Sequence, residues 1–294
     1  MKLSFQPLCL EKQAEYRRIF SCTPQKSSDY SFSNLWAWRD IYQLQWSFED
    51  DLVWIRQNNP QTVYWAPVGN WEAVNWSRRF EALFPEEAYM IRIPEQLGLM
   101  WQQFVPGCVQ LKQDPDQWDY IYLVRELIEL KGNRFHRKKN LLKQFKRNYN
   151  YEYVLLDTDK VDKALTLQTE WCMWKDCEDS VTLESENQAI INTFQDWPKL
   201  DKVLGAGLEV EGNMVAFTVA EPLDEQTLVV HFEKGCPNHK GVYQAMNQMF
   251  LARTAANYTY VNREQDLGDP GLRQAKQSYQ PADFLKKFAG SIKP

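Results

Sequence analysis

The sequence predicts an α+β protein built from two tandem units, each with a mixed, mainly antiparallel sheet flanked by helices. Its 294 residues suffice for two units of about 150 residues each. With 44% hydrophobic and 14% aromatic residues, the chain can bury a substantial core. The predicted order of elements in the first half, helices followed by a strand meander and then helix and strand, returns in the second half. No clear sequence repeat accompanies it, so the order alone carries the prediction.

The first unit is expected to span residues 1–130. Ser31 opens the run SFSNLWAWRDIY, where polar capping residues precede an apolar helix. Turn residues at Asp50-Asp51 and at Asn58-Asn59-Pro60 separate strand candidates as hairpin turns would. The remaining expected elements are strands at 3–6, 42–48, 52–56, 62–66, 89–93, 109–112 and 120–124, and helices at 11–20, 70–84 and 95–104.

Tryptophans are concentrated in this unit, where seven of the twelve lie between Trp36 and Trp76. Such a run can form a stacking platform for bases or sugars. The favoured interpretation is a hydrophobic core with polar handles.

Residues 131–150 are expected to form a basic linker helix. Phe135, Leu142, Phe145 and Tyr149 recur at helical spacing. The segment from Lys131 to Arg147 carries eight Lys or Arg and no acidic residue, although the net charge of the chain is −5. A solvated helix face normally mixes both signs, so an anion-facing role remains open beside a plain connecting role. The candidate residues for binding tRNA or another anion are Arg134, Arg137, Lys138 and Lys139.

The second unit is expected to span residues 151–294. A strand at 151–156 and helices at 161–175 and 185–196 precede three strands at 204–210, 214–221 and 227–233. Gly212, between Glu211 and Asn213, fits a tight hairpin. A helix at 242–256, a strand at 258–262 and a further helix opened by Asp269-Pro270 close the unit.

Three antiparallel strands followed by helix, strand and helix is the order found in a GNAT-type N-acyltransferase. In that architecture the turn after the last meander strand binds pyrophosphate through backbone N–H groups at a helix N-terminus. The corresponding turn here is Pro237-Asn238-His239-Lys240-Gly241, which contains a single glycine. This composition disfavours acetyl-CoA as the donor.

Four segments carry a family resemblance: DYSFSNLWAWRD from Asp29, KGNRFHRKKNLLKQF from Lys131, HFEKG from His231 and NREQDLGDPGLRQAKQSYQP from Asn262. Together they resemble the bacterial family named after the C-terminal domain of phosphatidylglycerol lysyltransferase, over nearly the whole chain. The resemblance implies two tandem GNAT-like domains. It also implies kinship with enzymes that move an aminoacyl group from aminoacyl-tRNA to a lipid, and more distantly with Fem-type peptidoglycan transferases.

The candidate catalytic residues are Glu233, Glu264 and Asp266. On an extended chain Asn262, Glu264 and Asp266 share one face, and Glu233 ends the neighbouring strand. A carboxylate there can take a proton from an attacking hydroxyl or hold the α-ammonium group of a donor. No Ser or Cys has a nucleophile context, so direct transfer without a covalent enzyme intermediate is expected.

The candidate substrate-binding residues have structural alternatives. Arg273 and Lys276 share a helix face and can bind phosphate or stabilise an oxyanion, or they can pair with neighbouring carboxylates. His231 is as consistent with a core histidine as with a base, and Asp269 is favoured as a helix cap. The full set expected to bind substrate is His231, Lys240, Tyr243, Asn262, Arg273 and Lys276.

Three functions follow as hypotheses. The first is an aminoacyl transferase with aminoacyl-tRNA as co-substrate, a lipid or small-molecule hydroxyl or amine as acceptor, and no cofactor or metal. The second is an acyl-CoA-dependent N-acyltransferase. The third is a non-catalytic protein that binds RNA or an anionic membrane through the basic helix.

Composition also indicates the compartment. No apolar run of 18 residues and no signal-peptide core are present, which predicts a cytoplasmic protein, with peripheral contact with the inner face of the membrane left open. The six cysteines are widely spread and are expected to be reduced thiols. A zinc site from Cys172, Cys177, Cys236 and His239 is disfavoured, because a spacing of five does not align two ligands on one helix face.

Overall fold

The computed structural model describes residues 3–293 and confirms the predicted fold class. Its described strands form two seven-stranded sheets, both mixed and mainly antiparallel and both accompanied by helices. The chain divides into two compact units, which comprise residues 3–119, 265–270 and 284–293, and residues 120–264 and 271–283. None of the helices described in residues 3–293 is long and apolar enough to cross a membrane.

The sheet of the first unit has the strand order β1-β2-β3-β4-β5-β14-β6. The strands β2, β3 and β4 form the expected antiparallel meander, and β5 adds to β4 in parallel. Ser31 caps α2 as predicted, because its hydroxyl accepts the backbone N–H of Asn34. The elements are β1 Gln6–Pro7, α1 Gln13–Ser21, α2 Phe32–Trp38, β2 Gln45–Glu49, β3 Leu52–Gln57, β4 Val63–Gly69, α3 Trp76–Leu83, β5 Ala88–Pro94, α4 Glu95–Phe104, β6 Val109–Gln113 and β14 Lys287–Ile292.

The sheet of the second unit has the strand order β13-β7-β12-β11-β10-β9-β8. The hairpin between β9 and β10 turns at Glu211 and Gly212, both with positive φ, as its sequence predicts. The elements are β7 Asp119–Leu123, α5 Val124–Glu129, α6 His136–Asn148, β8 Tyr151–Leu155, α7 Thr158–Lys175, α8 Val181–Gln195, β9 Leu204–Val210, β10 Asn213–Pro222, β11 Thr227–Gly235, α9 Val242–Arg253, β12 Tyr260–Asn262, α10 Pro270–Gln277 and β13 Asp283–Leu285.

The boundaries of the two units differ from the expected division at residues 130 and 150. Residues 120–130 belong to the second unit, because β7 pairs antiparallel with β12. Helix α6 packs on α9 within that unit, so it is part of the second unit and not a linker. The strand β14 returns to the first unit, where it lies between β5 and β6. Pairings between strands distant in sequence therefore set boundaries that local patterns do not reveal.

The tryptophan-rich run forms a core, as favoured. Trp46, Trp54, Trp65 and Trp71 are fully buried in the first unit. The indole N–H of Trp65 donates to Gln57 at 2.9 Å, and that of Trp71 donates to the carbonyl of Pro67 at 2.8 Å. Because these rings are inaccessible, they cannot stack on a base or a sugar.

A buried charge network lies in the first unit at the start of the family-like segment DYSFSN. The ammonium group of Lys287 contacts the carboxylates of Asp29 and Asp119, and all three side chains are fully buried. Arg92 also pairs with Asp29 at 2.8 Å. Although burial alone would raise the pKa of Asp29, Lys287 and Arg92 lower it to about 2. Two cations thus balance two anions, and the network holds β14 to distant segments of the same unit.

The prediction that all cysteines are reduced is wrong for one pair, because Cys172 and Cys177 form a disulfide. Asp176 ends α7 in the left-handed conformation and turns the chain back, which brings the two Cα atoms to 5.0 Å. A spacing of five separates two side chains only on a continuous helix, whereas this helix stops between the two cysteines. The disulfide also engages two of the three thiols that the zinc alternative would require.

Candidate functional site

The candidate site of the second unit forms where two parallel strands separate. β12 pairs with β11 in parallel from Thr227 to Val229 and then ends at Asn262. β11 continues without this partner to Gly235. In sheets of this kind, ligands bind beyond the carboxyl ends of neighbouring strands, at points where connections diverge. The side chains of the second half of β11 and of the segment after β12 therefore delimit the site.

Glu233 and Arg263 meet at this point. One guanidinium nitrogen donates to Oε1 of Glu233 at 3.2 Å, and the two side chains are 10% and 15% exposed. The second carboxylate oxygen, Oε2, is buried and receives no hydrogen bond of normal geometry from the described residues. Burial raises the pKa of Glu233 above its ordinary value, and Arg263 and Asn247 oppose that rise. A buried carboxylate oxygen without a partner is costly, which indicates a place for a proton or a ligand donor.

Two tyrosine rings surround the guanidinium group of Arg263. Its Cζ lies 5.0 Å from the ring centroid of Tyr279 and 6.0 Å from that of Tyr122. Burial raises the pKa of Tyr279 to about 12, so the phenol keeps its proton at neutral pH and can donate a hydrogen bond. The ammonium group of Lys138, from α6, lies 4.0 Å from the centroid of the same Tyr279 ring.

His231 lies between two carboxylates. Its Nε2 is 3.1 Å from Glu221 and its Nδ1 is 2.7 Å from Glu264. The pairing of β10 and β11 shifts between Val219 and Ala220, so His231 is an extra residue at a bulge. Burial alone would lower the pKa of His231, but the two carboxylates outweigh it and raise the pKa to about 9. The imidazole is therefore protonated at neutral pH, where it positions Glu264 and cannot accept a proton as a base.

Stability is expected to fall as His231 loses its proton. The pKa of His231 is about 9 in the folded protein, against an ordinary value of 6.5, so the protonated imidazole adds to the free energy of unfolding. This contribution is complete below pH 6.5 and is lost as the pH rises to about 9. The shift corresponds to about 3 kcal/mol. We expect the difference in unfolding free energy between the protein and His231→Gln, measured in urea, to shrink between about pH 6 and pH 9.5. A difference that stays constant across that range would contradict the protonated assignment.

The turn at the start of α9 packs against α6 and against the residue that follows α6. The backbone N–H of Lys240 donates to the hydroxyl of Tyr149 at 3.2 Å. Gly241 has a φ of 86°, and a Cβ there would lie 2.2 Å from the carbonyl oxygen of Leu141. The side chain of Lys240 is exposed, whereas the hydroxyl of Tyr243 accepts the indole N–H of Trp171 at 3.0 Å. The turn therefore has close internal neighbours where an acyl-CoA pyrophosphate would need room.

The prediction that Asn262, Glu264 and Asp266 share one face of an extended chain is wrong. The strand ends at Asn262, and Glu264 has a φ of 57°, so the chain is not extended through this segment. The side chain of Asn262 accepts the backbone N–H of Glu264, and that of Asp266 accepts the backbone N–H of Gly268. The ion-pair partner of Glu233 is Arg263, which precedes Glu264 in the chain. Asp266 belongs to the first unit, whereas Glu233 and Glu264 belong to the second.

The predicted cations have different surroundings. Arg273 and Lys276 are both half-buried on α10, as expected for one helix face, and the ammonium group of Lys276 donates to the carbonyl of Arg263. Arg134 pairs with Glu126 at 2.5 Å, which leaves it less suited to bind an external anion. The side chains of Arg137 and Lys139 are exposed.

Several residues of the site were not predicted from the sequence. Arg263 lies inside the family-like segment but was passed over in favour of its acidic neighbours. Tyr279 lies in the same segment and was not predicted either, Tyr122 is distant from it in the chain, and Glu221 was predicted only as the last residue of a strand. For Glu221 the sequence held a signal, since an acid in an otherwise apolar strand requires a partner.

A protein-family model described as phosphatidylglycerol lysyltransferase, C-terminal, matches residues 20–289. An uncharacterized protein of Mycoplasmoides gallisepticum is 22% identical over 172 residues, which are 58% of this chain and 54% of that protein. The match thus spans about half the length of this curated relative.

Solved structures share the fold over nearly the whole chain. A conserved protein of unknown function from Bacteroides thetaiotaomicron is 30% identical, with a TM-score of 0.89 and coverage of 99% of this chain and 100% of that one. L-PGS from Bacillus licheniformis has a TM-score of 0.65 at 12% identity, with coverage of 95% and 91%. FemX has a TM-score of 0.53 at 10% identity, with coverage of 98% and 97%.

Proposed function

The chain belongs to the family of the phosphatidylglycerol lysyltransferase C-terminal domain, and from this premise we propose that it is an aminoacyl transferase. The donor is aminoacyl-tRNA, and the acceptor is a hydroxyl or amine of a lipid or small molecule. Family and fold support an acyltransferase of this type or of the GNAT type. No cofactor or metal enters the proposed reaction.

The observation that carries the proposal is the unpartnered oxygen of Glu233. Arg263 holds Oε1, which leaves Oε2 to accept the proton of the attacking hydroxyl or amine. The raised pKa brings this carboxylate nearer to neutral pH, where a general base works best. A base that is fixed by an ion pair on one oxygen keeps the other oriented, which lowers the cost of reaching the reactive geometry.

The proposed step balances without a further reactant. The acceptor oxygen or nitrogen forms a bond to the carbonyl carbon of the aminoacyl ester while its proton passes to Glu233. The tetrahedral intermediate then breaks its bond to the ribose oxygen of the tRNA. That oxygen takes the proton from Glu233 and leaves as a hydroxyl group. Glu264, held by the protonated His231, is the carboxylate proposed to hold the α-ammonium group of the donor.

The test is an incubation of the purified chain with a pool of charged tRNAs and a bacterial lipid extract. Labelled amino acid should move from RNA into an organic-soluble or small-molecule product. If no charged tRNA yields a product with any acceptor fraction, the proposal fails. Salt-dependent RNA or membrane binding without turnover would then favour the non-catalytic alternative.

Acyl-CoA is not the proposed donor, because the turn before α9 has a single glycine and lies against Tyr149 and Leu141. A donor present at 100 times its Kd would stabilise the fold by about 2.7 kcal/mol. We therefore expect acetyl-CoA and longer acyl-CoAs to leave the melting temperature unchanged. A saturable rise in melting temperature with one of them would restore the acyl-CoA alternative.

A further inference from the structure

Helix α6 begins with positive charges at the end where a helix favours negative ones. Its first turn contains Arg137, Lys138 and Lys139 and no acidic residue. The partial positive charge of a helix N-terminus makes each such cation unfavourable. This placement does not serve the stability of the helix, which points to a use for the charges outside it.

Lys138 differs from its neighbours in this turn. It is half-buried, whereas Arg137 and Lys139 are exposed. Burial, and then the charge of Arg263, lower the pKa of Lys138 to about 8. No acidic side chain opposes this shift, and Lys138 forms no ion pair or hydrogen bond with any of residues 3–293. A partly desolvated ammonium group without a counter-ion is unfavourable in free energy, which indicates that an anion is missing.

Lys138 and Arg263 contact the same aromatic ring. The ammonium group lies 4.0 Å and the guanidinium carbon 5.0 Å from the ring centroid of Tyr279. Glu233 compensates Arg263 through one hydrogen bond, and the charge of Lys138 is left over. The attraction between a cation and a ring face fixes the position of the ammonium group but does not neutralise its charge.

We propose that Lys138 and Arg263, which both contact the Tyr279 ring, form a subsite for a phosphate group of one of the two reactants. The subsite deepens the proposed function and rests on it for the identity of the reactants. A phosphate supplies the missing negative charge and accepts hydrogen bonds from both cations. Its place beside Glu233 puts the phosphate near the proposed proton acceptor, so the subsite would position a reactant for the transfer step.

Two sources share this chemistry, the phosphates of an RNA end and the phosphate of a lipid headgroup. Adenosine 5′-monophosphate represents the first and glycerol phosphate represents the second. Inorganic phosphate reports the subsite without either scaffold. The test is calorimetric titration of each probe into the whole chain, with Lys138→Met as the variant, because methionine keeps the length of the side chain and removes its charge.

We expect at least one probe to bind the protein with a Kd below about 10 mM and to bind Lys138→Met about tenfold more weakly. Lys143→Met is the matched control, since it removes the same charge from the same helix at an exposed position, and we expect its affinity to stay within about twofold. The probe that binds best identifies the source of the phosphate.

The proposal is overturned if no probe binds, or if the two variants weaken binding equally, since that equality indicates diffuse electrostatic attraction. Melting temperature without probe separates loss of binding from loss of fold. Lys138→Met is expected to melt at the same temperature as the protein or higher, because it removes a partly buried, uncompensated charge. Probe binding that depends on Lys138 in a chain without transferase activity would keep the subsite and reject the proposed function.

Discussion

Replacement of Glu233 by glutamine is expected to lower the rate of aminoacyl transfer by about 10²–10⁴-fold, the usual contribution of a positioned general base. Glutamine keeps the volume of the side chain and can still accept a hydrogen bond from Arg263, but it cannot take a proton. The measurement is the initial rate of label transfer at saturating donor. Because the base acts in the chemical step, the loss should appear in kcat and leave KM nearly unchanged.

Glu225→Gln is the matched control for this variant. Glu225 is exposed in the turn between β10 and β11, so its replacement changes the net charge equally without touching the site. Its activity should stay within about twofold of the protein. A Glu233→Gln variant that retains full activity, or one that loses activity only through KM, would reject the role of Glu233 as proton acceptor.

Replacement of Lys287 by methionine is expected to destabilise the first unit by about 3–5 kcal/mol, the usual cost of removing one partner of a buried ion pair. Lys287 is fully buried between Asp29 and Asp119, and it donates to Asp119 at 2.6 Å. Without it, two buried carboxylates lose their common counter-ion. The free energy of unfolding in urea measures the effect.

Lys286→Met provides the comparison, because Lys286 is the preceding residue and its pair with Glu95 is at the surface. Surface ion pairs contribute about 0–1 kcal/mol, so this variant should remain close to the protein. Equal losses in the two variants would show that the buried network does not hold the first unit together.

The order of elements was accessible from the sequence because each element has a local signature. The polar residues before α2 and the Glu211-Gly212 turn predicted the cap and the hairpin that the structure contains. The boundaries of the two units were not accessible, since they depend on where β7 and β14 pair. Partners of these strands lie far away in the chain, and no local pattern identifies them.

The sequence predicted a candidate site in the segments around β11 and β12, but it did not predict the contacts among their side chains. Alternation along an extended chain put Glu264 and Asp266 together, whereas the left-handed conformation of Glu264 turns the backbone between them. The bulge that places His231 between Glu221 and Glu264 follows from strand register, which the sequence does not state. The residue types therefore indicated which acidic and basic side chains to consider, and only the folded backbone determines which of them contact each other.

The most direct test of the proposed function is a single-turnover reaction with labelled aminoacyl-tRNA and an excess of protein. We expect the label to leave the RNA and to appear in the acceptor product in one phase, with no label bound covalently to the protein at any time. Glu233→Gln should slow this phase without changing the product. Label that stays on the RNA, or label that accumulates on the protein before it reaches the acceptor, would contradict direct aminoacyl transfer by this chain.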